Sequence, residues 1–276
     1  EPYRRQRQMC IRDSYTGASP ALMGACAQRN IELSFMSGNG RFLARVSGEE
    51  KGNVTLRKTQ YRISEKKEES VKIAKNFILG KVYNARWVLE RAARDYSMRL
   101  DAELLKKKSA FLGQSMNKIR ECEDAGTLLG LEGEAASVYF SAFDELILQQ
   151  KEDFYFHGRN KRPPLDNVNA MLSFGYSLLA GMCGGALEAV GLDPYVGFFH
   201  TDRPGRMSLA LDLMEEFRSV MVDRFVLTLI NKRIMKPEYF LTKENGAVIM
   251  TEEGRKAFLS AVSYTHLRAH ETLANL

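Results

Sequence analysis

The chain has 276 residues, 45% hydrophobic and 27% charged, which is enough for one large domain or two ordinary ones around a sizeable core. That composition excludes a disordered chain, a collagen-like repeat and a small disulfide scaffold. A formal net charge of +6 favours a polyanionic partner without naming one.

The two ends read differently from what lies between them. "EPYRRQRQMCIRDS" (residues 1–14) and "VSYTHLRAHETLANL" (residues 262–276) do not continue the periodic segments beside them. Both have the look of translated sequencing-adapter read-through, so they are expected to be non-native and are set aside. His266, His270 and Cys10 go with them. Cys26, Cys122 and Cys183 form no CxxC pair with one another or with Cys10. They read as reduced thiols of an intracellular protein rather than as a zinc site. No secretory signal is visible.

From residue 15 the chain is expected to be α+β. "SPALMGACAQRN" predicts a short helix with Ser19 as cap and Pro20 in its first turn. "IELSFMS" and "RFLARVS" alternate as strands, with "GNG" as a hairpin turn between them. Residues 15–58 therefore read as the remnant of an N-terminal β domain. From about Thr59 the pattern turns helical, and residues 59–261 read as an all-helical domain, truncated at its end. Ser64 is the expected cap of its first long helix. Asn167 to Leu187 is uncharged and long enough to span a bilayer. Its asparagines, serines and glycines favour a buried central helix instead. "YFLTKENGAVIMT" predicts a small hairpin turning at "ENG".

Three places carry chemistry. His200 closes "VGFFH", and Asp212 and Glu215 follow in the helix that begins at Ser208. Leu209, Ala210, Leu213, Phe217, Val220 and Met221 form the apolar stripe of that helix. Asp212, Glu215, Glu216, Ser219 and Asp223 lie on the other side, which by periodicity alone is a solvated acidic face. A loop with Pro204 and Gly205 is nevertheless the kind of linker that can fold His200 back onto these acids. One His with carboxylates suits Mg²⁺ or Mn²⁺ better than zinc. A candidate third ligand is Glu132 at the entrance to a helix, flanked by Gly130 and Gly133, with Glu134 as the competing candidate; the alternative is a helix-start acid favoured by the helix dipole. Those glycines also permit close approach of a substrate backbone.

"LLGLEGEAASVYF", "RNKRPPLDNVNAMLSFGYSLL" and "VGFFHTDRPGRMSLALDLMEEFRSVMVDR" together resemble the CRISPR-associated endonuclease-integrase of spacer acquisition, the family called Cas-one. "SYTGASPALMGACAQRNIELSFMSGNGRFLARV" resembles the end of that family's N-terminal β domain. The likeness covers roughly residues 15–261 and has a type I, I-C-like flavour. It implies a small β domain, a larger all-helical domain, and one metal site there made by a Glu in Gly-x-Glu-Gly, a His and a downstream acid. Carried over, these are Glu132, His200 and Glu215, with Asp212 auxiliary. The resemblance implies a Mg²⁺- or Mn²⁺-dependent DNA endonuclease and integrase that inserts short fragments into a CRISPR array during antiviral defence. It also implies a homodimer working beside the small partner protein called Cas-two on branched, prespacer and repeat DNA, in the prokaryotic cytoplasm. The runner-up is a catalytically inactive DNA-binding scaffold of the same complex.

Candidate DNA contacts are Arg159, Lys161 and Arg162 ahead of Pro163, with Tyr155 and Phe156 nearby for stacking. Asn84 and Arg86 in "KVYNAR", and Lys232 and Arg233, are further candidates, as are Lys106 to Lys108. A di-iron helical bundle falls, because no Glu precedes His157 or His200 by three positions.

Overall fold

The computed structural model describes residues 7–11, 17–29, 31–36, 42–46, 48 and 53–262. Among these the protein is mostly helical with few strands. The chain divides into two compact units, residues 1–59 with 185–193, and residues 60–184 with 194–276.

The first unit carries a three-stranded sheet in the order β1 (Arg7–Ile11), β2 (Ile31–Met36), β3 (Phe42–Val46). The strand β1 lies within the segment set aside at residues 1–14, and it pairs in parallel with β2. β2 and β3 run antiparallel as expected. Their connecting turn lies outside the described residues, as do His266 and His270. Helix α1 (Pro20–Gln28) begins as its sequence predicts: the Ser19 hydroxyl accepts from Leu22 N at 3.2 Å, and Pro20 needs no N–H there. Leu33 and Cys26 are buried, and Arg45 pairs with Glu188.

The helical stretch starts earlier than Thr59, at α2 (Val54–Ser64), because Asn53 caps it by accepting from Thr55 N and Leu56 N. Ser64 closes that helix instead of opening the next, its hydroxyl donating to Tyr61 O at 2.8 Å. In the second unit α3 (Lys67–Asp95) packs along α4 (Ala102–Glu121). Asp101 caps α4, and Asp124 caps α5 (Ala125–Phe140). α6 (Asn167–Ala189) is the one helix among the described residues long and apolar enough to cross a membrane. Its Val168, Met171, Leu172 and Leu179 are buried inside the protein.

α7 (Ser208–Phe217) passes through one π-helical turn, Arg218–Asp223, into α8 (Arg224–Asn231). This rod packs on α3. It departs from the expected sidedness in part: Leu209 and Ala210 of the apolar stripe are buried, but so are Asp212, Glu215, Ser219 and Asp223, while Met221 is 40% exposed. Polar groups with partners can be buried, and here each acid meets hydrogen-bond donors or cations inside. A hairpin of β4 (Phe240–Thr242) and β5 (Val248–Met250) follows, turning at Gly246 with φ of 76°. Of the cysteines whose side chains are described, Cys26, Cys122 and Cys183 are free and buried.

Candidate metal centre

The site is built from α3, α5, α7 and the loop ahead of α7. Asp212 organises the loop. Its Oδ2 accepts from Phe198 N at 2.6 Å and Phe199 N at 2.9 Å. Its Oδ1 accepts from His200 N at 2.8 Å and lies 2.7 Å from His200 Nδ1. A carboxylate that is 0% exposed is thus satisfied by four donors. Both its oxygens can only accept, so the ring proton is assigned to Nδ1 and the lone pair to Nε2. Nε2 lies 4.0 Å from Glu215 Oε1. The loop passes so close to α7 that a Cβ on Gly197 would stand 2.7 Å from Ser208 Cβ and 2.8 Å from His200 O.

Lys81 is the hub. Its ammonium pairs with Glu132 and lies 2.7 Å from Glu215 Oε2. Arg218 Nη2 sits 2.9 Å from Glu215 Oε1, one turn along the same helix rod. Burial opposes ionisation of Glu215, but Lys81 and Arg218 outweigh it and hold the carboxyl below its ordinary range. Glu215 Oε2 is closed to solvent, and the Lys81 ammonium is the cation that faces it. Beside it, Asn84 Nδ2 donates to Glu216 O at 2.8 Å, where the rod changes from α to π spacing.

Behind this centre Tyr176 donates to Asp223 at 2.5 Å, and the guanidinium groups of Arg159 and Arg218 lie over the Tyr176 ring. Burial pushes the Asp223 carboxyl up to about 6, against the pull of the Tyr176 hydroxyl.

Glu132, His200, Asp212 and Glu215 are therefore brought to one place. Glu132 lies mid-way along α5 rather than at its entrance. Asp212 spends its oxygens on the His200 loop. Among the described residues no three His, Cys, Asp or Glu side chains form a ready-made metal cage. Instead the Lys81 ammonium bridges Glu132 and Glu215, a cation standing between two carboxylates. That donor set, oxygens plus one neutral imidazole, fits a hard divalent cation.

The other candidates are dispersed. Arg159 is committed internally, to Asn169 Oδ1 at 2.6 Å and Ser173 Oγ at 3.1 Å. Lys161 and Arg162 are exposed beside it. Crowding by protein, then Arg218 and Arg159, push the Lys161 ammonium below its usual value. Phe156 is 4% exposed and packs on Phe143, so it offers no stacking face, whereas Tyr155 is exposed. Arg86 points to α4, with Nε 3.3 Å from Ser109 Oγ. Lys232 and Arg233 are exposed at the end of α8. Sequence reasoning missed Lys81, Arg218, Tyr176 and Asp223. Lys81 had a signal: it interrupts the buried α3 stripe of Ala74, Ile78, Ala85 and Val88.

The family model for CRISPR associated protein Cas1 matches residues 2–263. A CRISPR-associated endonuclease Cas1 from Rhodospirillum rubrum is 52% identical over 250 residues, 89% of this chain and 72% of that protein. One from Chlorobaculum tepidum is 45% identical over 243 residues, covering 88% and 71%. Among solved structures, a casposase bound to integration product superposes with a TM-score of 0.76 at 29% identity, over 94% of this chain and 70% of that one. A family match across nearly the whole chain, together with relatives sharing about half its residues, establishes that the chain belongs to the Cas1 family of CRISPR-associated proteins.

Proposed function

We propose that the chain is a DNA endonuclease and integrase of CRISPR adaptation, dependent on Mg²⁺ or Mn²⁺, with Glu132, His200 and Glu215 as the metal ligands. The carrying observation is that Lys81, a largely shielded cation, bridges Glu132 and Glu215, while His200 Nε2 lies 4.0 Å from Glu215 Oε1. The names of the relatives, CRISPR-associated endonuclease Cas1, and the casposase neighbour with its integration product support the reaction class.

When bound, the metal supplies Lewis-acid activation of a phosphodiester. The protein's own part is positioning and charge. Asp212 holds the His200 loop and fixes its tautomer, leaving Nε2 as the donor atom. Lys81, Arg218 and Lys161 supply positive charge for a phosphate group. In integration the 3′-hydroxyl oxygen of the incoming strand forms a bond to phosphorus as the target strand's 3′-oxygen leaves. The hydroxyl proton passes through solvent to the leaving oxygen. One phosphodiester is made for each one broken, so no external energy source is needed.

DNA is the proposed substrate, and assembly as a homodimer with the partner called Cas-two in the cytoplasm follows the same reading. Solved Cas1–Cas2 complexes among the structural neighbours support that assembly. The I-C-like subtype rests on motif resemblance. The test is strand transfer of a labelled duplex with a free 3′-hydroxyl into a repeat-containing target, in Mn²⁺ and in EDTA. Calorimetric Mn²⁺ binding by the native chain and by Glu132→Ala accompanies it. Metal-dependent products and Mn²⁺ binding, both lost in Glu132→Ala, are expected. A folded chain that binds DNA but neither binds Mn²⁺ nor turns over is instead the inactive scaffold.

A further inference from the structure

The rod that carries Glu215 and the helix that carries Lys81 run side by side beyond the metal centre. Between their far ends they enclose a cleft of about 410 Å³ that none of the site residues lines. Arg91 and Asp95 are on the α3 side, Arg224 and Lys232 on the α8 side, and Tyr96 and Arg99 at the end. Arg91 is ten residues beyond Lys81, about 15 Å along the helix at roughly 1.5 Å per residue.

Its charge is one-sided. The single acid, Asp95, is already engaged by Arg91 at 3.2 Å and Arg94 at 2.9 Å. Arg99, Arg224 and Lys232 are exposed, and their side chains make no ion pair or hydrogen bond among the described residues. Long cations left unpaired beside one another repel, so a cleft that gathers them is matched to an anion. Its shape is fixed from below. Leu146 and Leu227 form a buried apolar floor. The Asn231 side chain ties that floor to α8, donating to Leu146 O at 3.0 Å and accepting from Leu148 N at 2.7 Å. Tyr96, 47% exposed, offers a ring at the rim. Spaced cations over an apolar floor with an aromatic edge are the features that hold a single nucleic-acid strand.

We propose that this cleft is a second nucleic-acid site, taking the backbone phosphates of a single DNA strand a few nucleotides from the metal centre. The proposal rests on the nucleic-acid reading of that centre, and extends it to a strand path along α3 and α8. Arg99, Arg224 and Lys232 contact phosphates, and Tyr96 stacks on a base.

The test is fluorescence anisotropy of a labelled twelve-residue oligothymidylate over a salt series, with the full chain. The charge reversal Arg99→Glu/Arg224→Glu/Lys232→Glu is compared with Lys67→Glu/Lys72→Glu, which reverses exposed lysines at the start of α3, far from the cleft. The triple glutamine variant at the cleft guards against misfolding, and circular dichroism checks each protein. Both cleft variants are expected to weaken binding at least about tenfold, and the salt slope should fall by about 2 for three lost contacts at roughly 0.7 each. The control at the start of α3 should stay within about twofold of the native chain. Cleft variants that lose no more than the control overturn the proposal, even if Mn²⁺ binds normally. Loss at the cleft in a chain that binds no Mn²⁺ upholds the cleft and overturns the metal reading instead.

Discussion

His200 Nδ1 and Asp212 Oδ1 stand 2.7 Å apart, in a carboxylate that also receives the backbone N–H groups of residues 198, 199 and 200. One buried acid therefore sets both the path of the loop and the direction of the imidazole lone pair. Asp212→Asn puts an amide N–H where the backbone donors converge. Stability should fall by about 2–4 kcal/mol from the loss of charge-assisted hydrogen bonds. Mn²⁺ affinity should fall about 10–100-fold, as when a metal-bound imidazole loses its orienting partner. Denaturant titration and calorimetry read the two effects, and unchanged Mn²⁺ affinity would remove Asp212 from the site.

Lys81 holds Glu132 and Glu215 in register. Lys81→Met leaves two carboxylates facing each other, one of them buried, with Arg218 alone nearby. The metal-free protein should lose about 2–4 kcal/mol, as when one partner of a buried ion pair is removed. Added Mn²⁺ should then raise Tm by more in the variant than in the native chain, because the ion no longer competes with an ammonium group. Equal Mn²⁺-induced shifts in the two proteins would show that the lysine and the metal do not share the same space.

Much of this was legible in the residues themselves. The Gly-x-Glu-Gly stretch, His200 and the acids at 212 and 215 stand out because their types and spacing are chemical rather than periodic. The capping signal of α1 at Ser19 was readable for the same reason, whereas Ser64, read as the cap of a long helix, closes α2 instead. What periodicity misjudged was the sidedness of α7. It ranks residues by hydrophobicity, so it puts Asp212 and Glu215 in water and Met221 inside. The structure does the opposite because backbone donors and the cations of Lys81 and Arg218 lie on the inner face. Those donors come from loops and helices far away in the chain, and no local pattern contains them. Asp223 was invisible in the same way, since its partner Tyr176 is 47 residues distant.

Asp223 should impose a pH dependence on stability. Its folded pKa, about 6, is raised above the ordinary 3.8 by burial. The contribution is therefore fully present below the unfolded value and is lost as pH rises through about 6. Relative to Asp223→Asn, the native chain should lose about 2 kcal/mol of stability between pH 4 and pH 7, at no more than roughly 1.4 kcal/mol per pH unit. Denaturation curves for both proteins across that range give the difference directly. A difference that is flat, or that grows in favour of the native chain with pH, would mean the carboxylate is ionised at low cost.

Gly197 is required by contact. A methyl group there meets the Cβ of Ser208 and the carbonyl of His200, neither of which is the free end of a flexible chain. Gly197→Ala should cost about 1–3 kcal/mol through displacement of the loop, and Mn²⁺ affinity should drop with it because His200 moves. Full Mn²⁺ affinity in a destabilised variant would show that the loop shifts without carrying the imidazole.

Gly130 and Gly133 are a different case, since a Cβ at either position meets nothing within 4 Å. Both lie inside α5, flanking Glu132 on an exposed surface. Neither turn geometry nor internal packing calls for glycine there. As a helix interior position each should gain up to about 1 kcal/mol on replacement by alanine. If their smallness serves the substrate, Gly130→Ala and Gly133→Ala will be more stable and yet slower in strand transfer, with Mn²⁺ binding unchanged. A more stable variant with native strand-transfer rates would show that nothing approaches α5 closely at that point, and would move the DNA path away from the Glu132 face.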